Sequence, residues 1–173
     1  MSMIELLNDG WIFQIAPLRG ESLGHYLGRF RRANCLSQSA LAELMLMDAR
    51  LLRGLEMPSL GQPLNAEQLK KLVCFLRLSE TELAAMLPPV RSQLHLATRL
   101  CPKCYAEEPI HRQAWQRTEV KHCDRHNAPL LTACPACYTT FRLPALWENG
   151  CCECCWLPFH QMHPFDSDLH QLG

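Results

Sequence analysis

The feature that most constrains the fold of this chain is a series of four short motifs in its second half. In each motif two residues separate a pair of metal-binding side chains; the pairs are Cys101 with Cys104, Cys123 with His126, Cys134 with Cys137, and Cys152 with Cys155. This spacing allows both side chains of a pair to face one metal ion. The sequence therefore predicts two structural Zn²⁺ ions, one bound by three cysteines and a histidine and the other by four cysteines. Neither site would keep a position open for a catalytic water.

The four motifs can pair in two ways. Sequential pairing gives two tandem zinc ribbons, whereas alternate pairing gives a cross-braced domain of the RING type. Seven residues separate His126 from Cys134, which is long for a cross-brace, because the corresponding motifs nearly abut there. We therefore favour sequential pairing. We expect zinc to supply much of the folding free energy of each ribbon, on the order of 10 kcal/mol per ion.

The last motif has two registers: Cys152 with Cys155, or Cys151 with Cys154. In the third motif an aromatic residue, Phe141, follows the second ligand by four positions. Phe159 repeats this offset only if Cys155 is the second ligand of the fourth motif. We therefore predict the first register, which leaves the other two cysteines as spare thiols.

The cysteine content and the charge limit the class of protein. Nine of the eleven cysteines lie between Cys101 and Cys155, and we expect the other two, Cys35 and Cys74, to be small buried core residues. The first residues lack the basic start and the cleavage site of a secretion signal, so the thiols should be reduced, as in a bacterial cytoplasm. No apolar run approaches the roughly 18 residues of a membrane span. Seventeen basic and 17 acidic residues cancel, so nucleic acid would have to be bound by local patches.

Six segments can be distinguished along the chain. They are an aromatic arm (1–20), a helical domain (21–87), a linker (88–98), ribbon 1 (99–130), ribbon 2 (131–160) and a polar tail (161–173). In the helical domain, apolar residues recur at the spacing of a buried helical stripe. Ser37 and Asp48 can cap the two helices of a helix-turn-helix. The expected fold is mainly α with small zinc-stabilised β structure: an N-terminal helix-turn-helix bundle followed by two tandem zinc ribbons.

Basic residues gather on two of the expected helices. Arg29, Arg31 and Arg32 lie opposite the apolar stripe of the first helix, and Arg50 and Arg53 lie on the second helix of the helix-turn-helix. Such residues contact phosphates or an acidic partner, or they are simply solvated. The second helix has no Asn or Gln of the kind that reads adenine edges, which disfavours sequence-specific readout of the major groove.

Two parts of the chain resemble the TniQ family, the target-selection proteins of Tn7-like transposons. One is the segment 21–37, which reads ESLGHYLGRFRRANCLS. The other is the series of four metal-binding motifs, with Trp115 ahead of the second motif. The resemblance extends from about Trp11 to Phe159. In its length the chain is similar to the minimal members found in type V-K CRISPR-associated transposons.

The resemblance implies an adaptor that is not an enzyme. It would link the AAA+ ATPase TnsC, assembled on DNA, to a nuclease-inactive RNA-guided Cas effector and its guide or tracr RNA. The protein would be cytoplasmic and would associate with the nucleoid when assembled. Contacts to TnsC would come from Trp11, Phe13 and Tyr26. Phosphates of the RNA and of the target DNA backbone would be bound by Arg29, Arg31, Arg32, Arg50, Arg53, Lys103 and Arg125.

Two other functions are compatible with these motifs. A helix-turn-helix with zinc ribbons can form a DNA-binding transcriptional regulator, for which a specific affinity for duplex DNA would be diagnostic. CxxC motifs also occur in thiol oxidoreductases, and cross-braced zinc sites occur in RING-type ligases. The oxidoreductase needs a βαβ context that the sequence lacks. Because the sequence also contains no nucleophile–base constellation and no Walker loop, we expect no enzyme activity.

Overall fold

The computed structural model describes residues 12–57 and 64–163. It contains six α-helices, α1 Leu23–Ala33, α2 Gln38–Leu44, α3 Ala49–Glu56, α4 Ala66–Leu76, α5 Glu80–Met86 and α6 Pro102–Glu107, and 3₁₀ helices at Gln113–Gln116, Pro144–Leu146 and Phe159–Gln161. Isolated bridges supply the β structure. Among the described helices, none has the length and apolar content needed to cross a membrane. The predicted fold class, mainly α with two cysteine-rich clusters, is confirmed.

The first five helices begin where the sequence supplies a capping side chain. In each case a side-chain oxygen accepts a hydrogen bond from a backbone N–H of the first turn; the capping residues are Ser22, Ser37, Asp48, Asn65 and Ser79. The last two open complete capping boxes with Gln68 and Glu82. α6 differs, because it begins directly after Cys101 and has a proline at its first position. One metal-binding side chain therefore stands at the start of a helix.

The apolar stripe of α1 forms the centre of the core of the helical bundle. Its members are at most 1% exposed: Leu23, Tyr26, Leu27 and Phe30. They share this core with leucines of the other four helices of the bundle. Burying a side chain of this size stabilises the folded state by roughly 1.5–3 kcal/mol. α3 packs against both α1 and α2, which gives the helix-turn-helix arrangement.

The described part of the arm lies against the helical bundle. Residues 12–17 contain neither helix nor strand. The Asn34 side chain accepts a hydrogen bond from the N–H of Phe13 at 3.2 Å and donates one to its carbonyl oxygen at 3.0 Å. Gln14 Nε2 donates to the carbonyl oxygen of Leu76 at 2.9 Å. These hydrogen bonds fasten the arm to the C-terminal ends of α1 and α4.

α1 also packs against ribbon 2, so the helices and the ribbons share an interface. A Cβ atom at Gly28 would collide with the carbonyl oxygen of Ala145. Only glycine, which has no Cβ, permits this close approach. From the same helix Arg32 donates to the carbonyl oxygens of Ala145 at 2.9 Å and Trp147 at 3.3 Å.

Ribbon 1 contacts the start of the same helix. The Ser22 N–H donates to the carbonyl oxygen of His111 at 2.9 Å, and the Gln113 N–H donates to that of Gly20 at 2.9 Å. The hydroxyl oxygen of Ser22 and Nδ1 of His111 lie 2.8 Å apart, and both residues are buried. The imidazole ring of His111 also packs edge-on against Trp147, with centroids 5.2 Å apart. α1 therefore joins both ribbons to the helical bundle.

One local expectation differs from the structure. Cys35 and Cys74 are exposed, so the prediction that they are core residues is wrong. Cys35 lies in the turn that ends α1, where its φ is 53°, and Cys74 lies on the outer face of α4. The segment 88–98, expected to be a linker, is hydrogen-bonded to ribbon 1, for example from the His95 N–H to the carbonyl oxygen of Gln116 at 2.8 Å.

Candidate metal centres

The first centre brings together the side chains of the first two motifs. Cys101 precedes α6 and Cys104 lies in its first turn, while Cys123 and His126 come from a later turn. Nδ1 of His126 lies 3.3–3.6 Å from the three sulfur atoms, and all four atoms lie within 4.8 Å of one another. Ligand atoms around a tetrahedral Zn²⁺ lie about 3.5–3.8 Å apart. The spacing therefore suits a metal ion at the centre of this group.

The second centre brings together the last two motifs. Its four sulfur atoms, those of Cys134, Cys137, Cys152 and Cys155, lie within 4.8 Å of one another. Two of the closest sulfur pairs are 3.5 Å and 3.4 Å apart. Cys151 is half-buried and Cys154 is exposed, and neither belongs to this group. The grouping thus follows the sequential pairing of the motifs and the register expected for the fourth.

Three of the four motifs have the same backbone structure. The N–H of the first ligand donates to the carbonyl oxygen five residues later at 2.8–2.9 Å; the donors are Cys123, Cys134 and Cys152. The residue before each of these ligands forms a bridge with the residue seven positions further along the chain. The residue after each second ligand has a positive φ: Asn127 (46°), Tyr138 (59°) and Trp156 (62°). Because the repeat holds for Cys152 and not for Cys151, it supports the predicted register.

A carboxylate outside the first centre orients its histidine. His126 Nε2 donates to Oε1 of Glu107 at 2.8 Å. With the ring proton on Nε2, the lone pair of Nδ1 is directed towards the three sulfur atoms. The hydrogen bond from His126 lowers the pKa of Glu107, and Arg125 also forms an ion pair with this carboxylate. Sequence reasoning missed Glu107, which lies 19 residues from the histidine that it contacts.

The donor atoms have the chemistry of structural zinc sites. Three sulfurs with one imidazole nitrogen, and four sulfurs, are typical ligand sets for Zn²⁺. Cysteine must be deprotonated to bind the ion. A hydrogen bond with Thr139 lowers the pKa of the Cys137 thiol to about 6, which favours the thiolate form that binds the ion. Each of the two groups can hold one metal ion through four protein side chains.

The three arginines of α1 form contacts within the fold, and their binding of phosphates stays a prediction. Arg29 donates to both carboxylate oxygens of Glu21, at 2.8 and 2.7 Å. Arg31 donates to Glu56 of α3 at 3.0 Å, and Arg32 donates to ribbon 2, as described above. The arm, the bundle and the ribbons surround α1, and its long basic side chains therefore reach buried acceptors while they stay partly exposed.

The carboxylates that receive these arginines differ in their electrostatics. Burial by itself would raise the pKa of Glu21, but hydrogen bonds from His25 and Arg29 outweigh it and lower the pKa. His25 Nδ1 lies 2.6 Å from Oε1 of this carboxylate. For Glu56 burial dominates and raises the pKa despite the ion pair with Arg31. Both acids are buried and are matched by donors, as buried charges require.

The other predicted phosphate ligands lie on separate elements. Arg50 and Arg53 are exposed on α3, and Lys103 is exposed on α6. Arg125, between two ligands of the first centre, is 45% exposed and is paired with Glu107. Their binding to nucleic acid stays a prediction.

The residues predicted to contact a partner also differ in their exposure. Tyr26 is wholly buried, and its hydroxyl donates to the carbonyl oxygen of Ile15 at 3.3 Å, so its assignment as a contact residue is wrong. Phe13 is 56% exposed, and its contact role stays a prediction. Trp11 lies outside the described residues.

One known protein family matches most of this chain. The model of the TniQ family matches residues 12–130, which is more than half of the chain. The matched region includes all six helices and the first metal centre. No curated protein matches the chain. The chain therefore belongs to the TniQ family, whose members are associated with transposition.

Proposed function

We propose that this chain is a target-selection adaptor of transposition. It would link a DNA-bound AAA+ ATPase, TnsC, to a nuclease-inactive RNA-guided Cas effector and its guide RNA, so that insertion occurs beside the guided target. The observation that carries this proposal is the match of the TniQ family model over residues 12–130. The resemblance in length to the minimal members of type V-K CRISPR-associated transposons is the reason for proposing an RNA-guided effector as the second partner.

We assign a structural Zn²⁺ to each metal centre. Each ion would be held by the four side chains brought together there and would tie the two ends of its ribbon. On this proposal the ions are structural and take part in no reaction, and the protein acts by binding its partners through its surfaces. The expectation that it is not an enzyme stays a prediction.

The arm is our candidate for the ATPase contact. Ile12 and Phe13 are 87% and 56% exposed, although the backbone of Phe13 is fixed by Asn34. Exposed large apolar side chains on a fixed backbone favour association with a partner. The exposed Arg50, Arg53 and Lys103 are the most accessible candidates for binding phosphates of RNA or of target DNA.

The test is binding to TnsC filaments assembled on duplex DNA. We expect the double variant Trp11→Ala with Phe13→Ala to lose binding by at least ten-fold while it keeps two zinc ions, because a hot-spot aromatic typically contributes 2 kcal/mol or more. Leu96→Ala is the matched control, since Leu96 is also exposed, at 75%, but lies far from the arm in sequence. Unchanged affinity of the double variant would show that the arm is not part of the interface with the ATPase.

The second candidate function is a DNA-binding regulator, which the exposure of Arg50 and Arg53 on α3 favours. It requires that the protein alone bind a duplex with a marked preference for one sequence. A gel-shift series on random and genomic duplexes over a range of salt concentrations separates the two functions. If the protein alone binds duplex DNA with a strong sequence preference, the regulator becomes the better assignment and the adaptor is rejected.

A further inference from the structure

The two ribbons differ in the residue that follows the second ligand of a motif. In ribbon 1 this residue is Asn127, whereas in ribbon 2 it is Tyr138 and Trp156, and all three have a positive φ. Asparagine tolerates this left-handed conformation, but a bulky aromatic residue adopts it only at an energetic cost. Tyr138 and Trp156 are 70% and 66% exposed, so little burial offsets the cost. Strained and exposed aromatic residues of this kind indicate a functional surface.

Trp156 borders a groove on ribbon 2. The groove has a volume of about 310 Å³, and its lining includes Trp156, Leu146, Phe141, Arg142, Glu148 and Glu153. Leu146 is 41% exposed, so the groove presents a second apolar group beside the indole. The backbone under the indole is fixed, because the Trp156 N–H donates to the carbonyl oxygen of Cys152 at 2.9 Å. The groove is therefore open, partly apolar and held in a defined shape.

The charge of ribbon 2 indicates which chemical class of partner its groove would bind. Ribbon 1 contains six basic and four acidic residues, whereas ribbon 2 contains one basic and two acidic residues, Arg142, Glu148 and Glu153. Arg142 forms an ion pair with Glu153 at 2.9 Å, and Glu148 interacts electrostatically with Arg32. Four thiolates around one Zn²⁺ would add two negative charges, and Cys155 is an exposed member of that group. The paired acidic and basic side chains balance one another, so the net negative charge of this surface would come from the metal–thiolate centre, which disfavours phosphates and favours cations.

We infer that the ribbon 2 groove docks a basic segment of a protein partner, with an arginine or lysine side chain placed over the indole of Trp156. A cation over a tryptophan face is attracted by the ring quadrupole, most strongly for this aromatic residue. The metal–thiolate centre would reinforce that attraction, and Leu146 would contact the aliphatic part of the segment. The inference goes beyond the proposed function, since it needs no particular ATPase or effector. Nucleic acid is the competing occupant that the charge disfavours.

The test uses the zinc-loaded full chain and three probes: a tetra-arginine peptide, a tetra-glutamate peptide and a decauridylate. The readout is the shift of the indole N–H signal of Trp156 in a nuclear magnetic resonance titration. We expect saturable shifts with tetra-arginine and none with the other two probes. Decauridylate shifting this signal in place of tetra-arginine would overturn the inference in favour of nucleic acid, and no shift with any probe would also overturn it.

Trp156→Asn is the decisive variant, because it removes the indole, keeps the charge and places the residue of ribbon 1 at the same backbone position. We expect the dissociation constant of tetra-arginine to rise about five-fold while the melting temperature stays the same or rises. Asn127→Ala, the matched change in ribbon 1, should leave that constant within two-fold of the parent. Equal affinity in Trp156→Asn, or a melting temperature several degrees lower, would overturn the inference, since the indole would then be dispensable or structural.

Discussion

At the scale of single residues, Glu107 illustrates how a side chain that binds no metal can control a metal centre. It accepts a hydrogen bond from His126 at 2.8 Å and so selects the nitrogen that faces the sulfur atoms. Partners of this kind typically change metal affinity by 10–100-fold.

Glu107→Gln should therefore weaken zinc binding at the first centre by about ten-fold or more, since an amide is a poorer acceptor for the histidine proton. Competition with a chromophoric chelator measures the affinity. Glu119→Gln is the control, because Glu119 is in the same ribbon but pairs with Arg117 and contacts no ligand. Equal affinities of the two variants would contradict the role of Glu107.

His111 gives a prediction for pH. Burial is the main cause that lowers its pKa well below the usual value, so the folded state keeps this imidazole neutral where the unfolded chain binds a proton. Stability should then be complete above about pH 6.5 and should fall as the pH decreases below it, by up to about 1.4 kcal/mol per pH unit from this group.

Urea denaturation of the zinc-loaded protein between pH 5 and pH 7.5 checks this dependence. His111→Gln should lose that part of the slope, whereas any loss of metal at low pH affects both proteins alike. Parallel stability curves for the two proteins would refute the assignment.

Residue roles on α1 show what the sequence can and cannot predict. The buried stripe follows from the spacing of Leu23, Tyr26 and Phe30, because that spacing is local. The hydrogen-bond acceptors of the arginines are not local: those of Arg32 lie 113 and 115 residues away in the sequence. A helix whose polar side is also covered has the same sequence pattern as a helix with a solvated basic face.

At the scale of elements, α1 is the helix on which the bundle and both ribbons converge. Its N-cap contacts ribbon 1, its buried stripe forms the core of the bundle, and Gly28 allows the turn at Pro144–Leu146 to approach. The capped helix starts and the metal-binding motifs were predictable, since they depend on residues three or four positions apart. The contact between α1 and ribbon 2 was not, since it joins distant segments.

Gly28→Ala measures this contact. In an isolated helix the change would stabilise by up to about 1 kcal/mol, because alanine has the higher helix propensity. Here the added Cβ would collide with the backbone of Ala145, so we expect a loss of about 2 kcal/mol or more in the free energy of unfolding. Chemical denaturation gives the sign directly, and a stabilised variant would contradict the docking of α1 on ribbon 2.

At the scale of the whole molecule, consecutive motifs supply the ligands of the two metal centres. The two ribbons share one apolar core, which includes Tyr105 and Trp115 of ribbon 1 and Trp147 and Phe159 of ribbon 2. This shared core, the metal ions and the contact with α1 together hold the ribbons in place. The order of the motifs allowed a cross-braced alternative, and the spacing alone argued against it. The structure groups the motifs sequentially, and the two arrangements predict opposite zinc contents for suitably chosen pairs of substitutions.

The most direct test is therefore the number of zinc ions per chain, counted by native mass spectrometry after dialysis against a weak chelator. Cys104→Ala with Cys123→Ala damages only the first centre and should retain one ion, whereas Cys104→Ala with Cys137→Ala damages both and should retain none. One ion in the second protein and none in the first would contradict the account and establish the cross-braced arrangement instead.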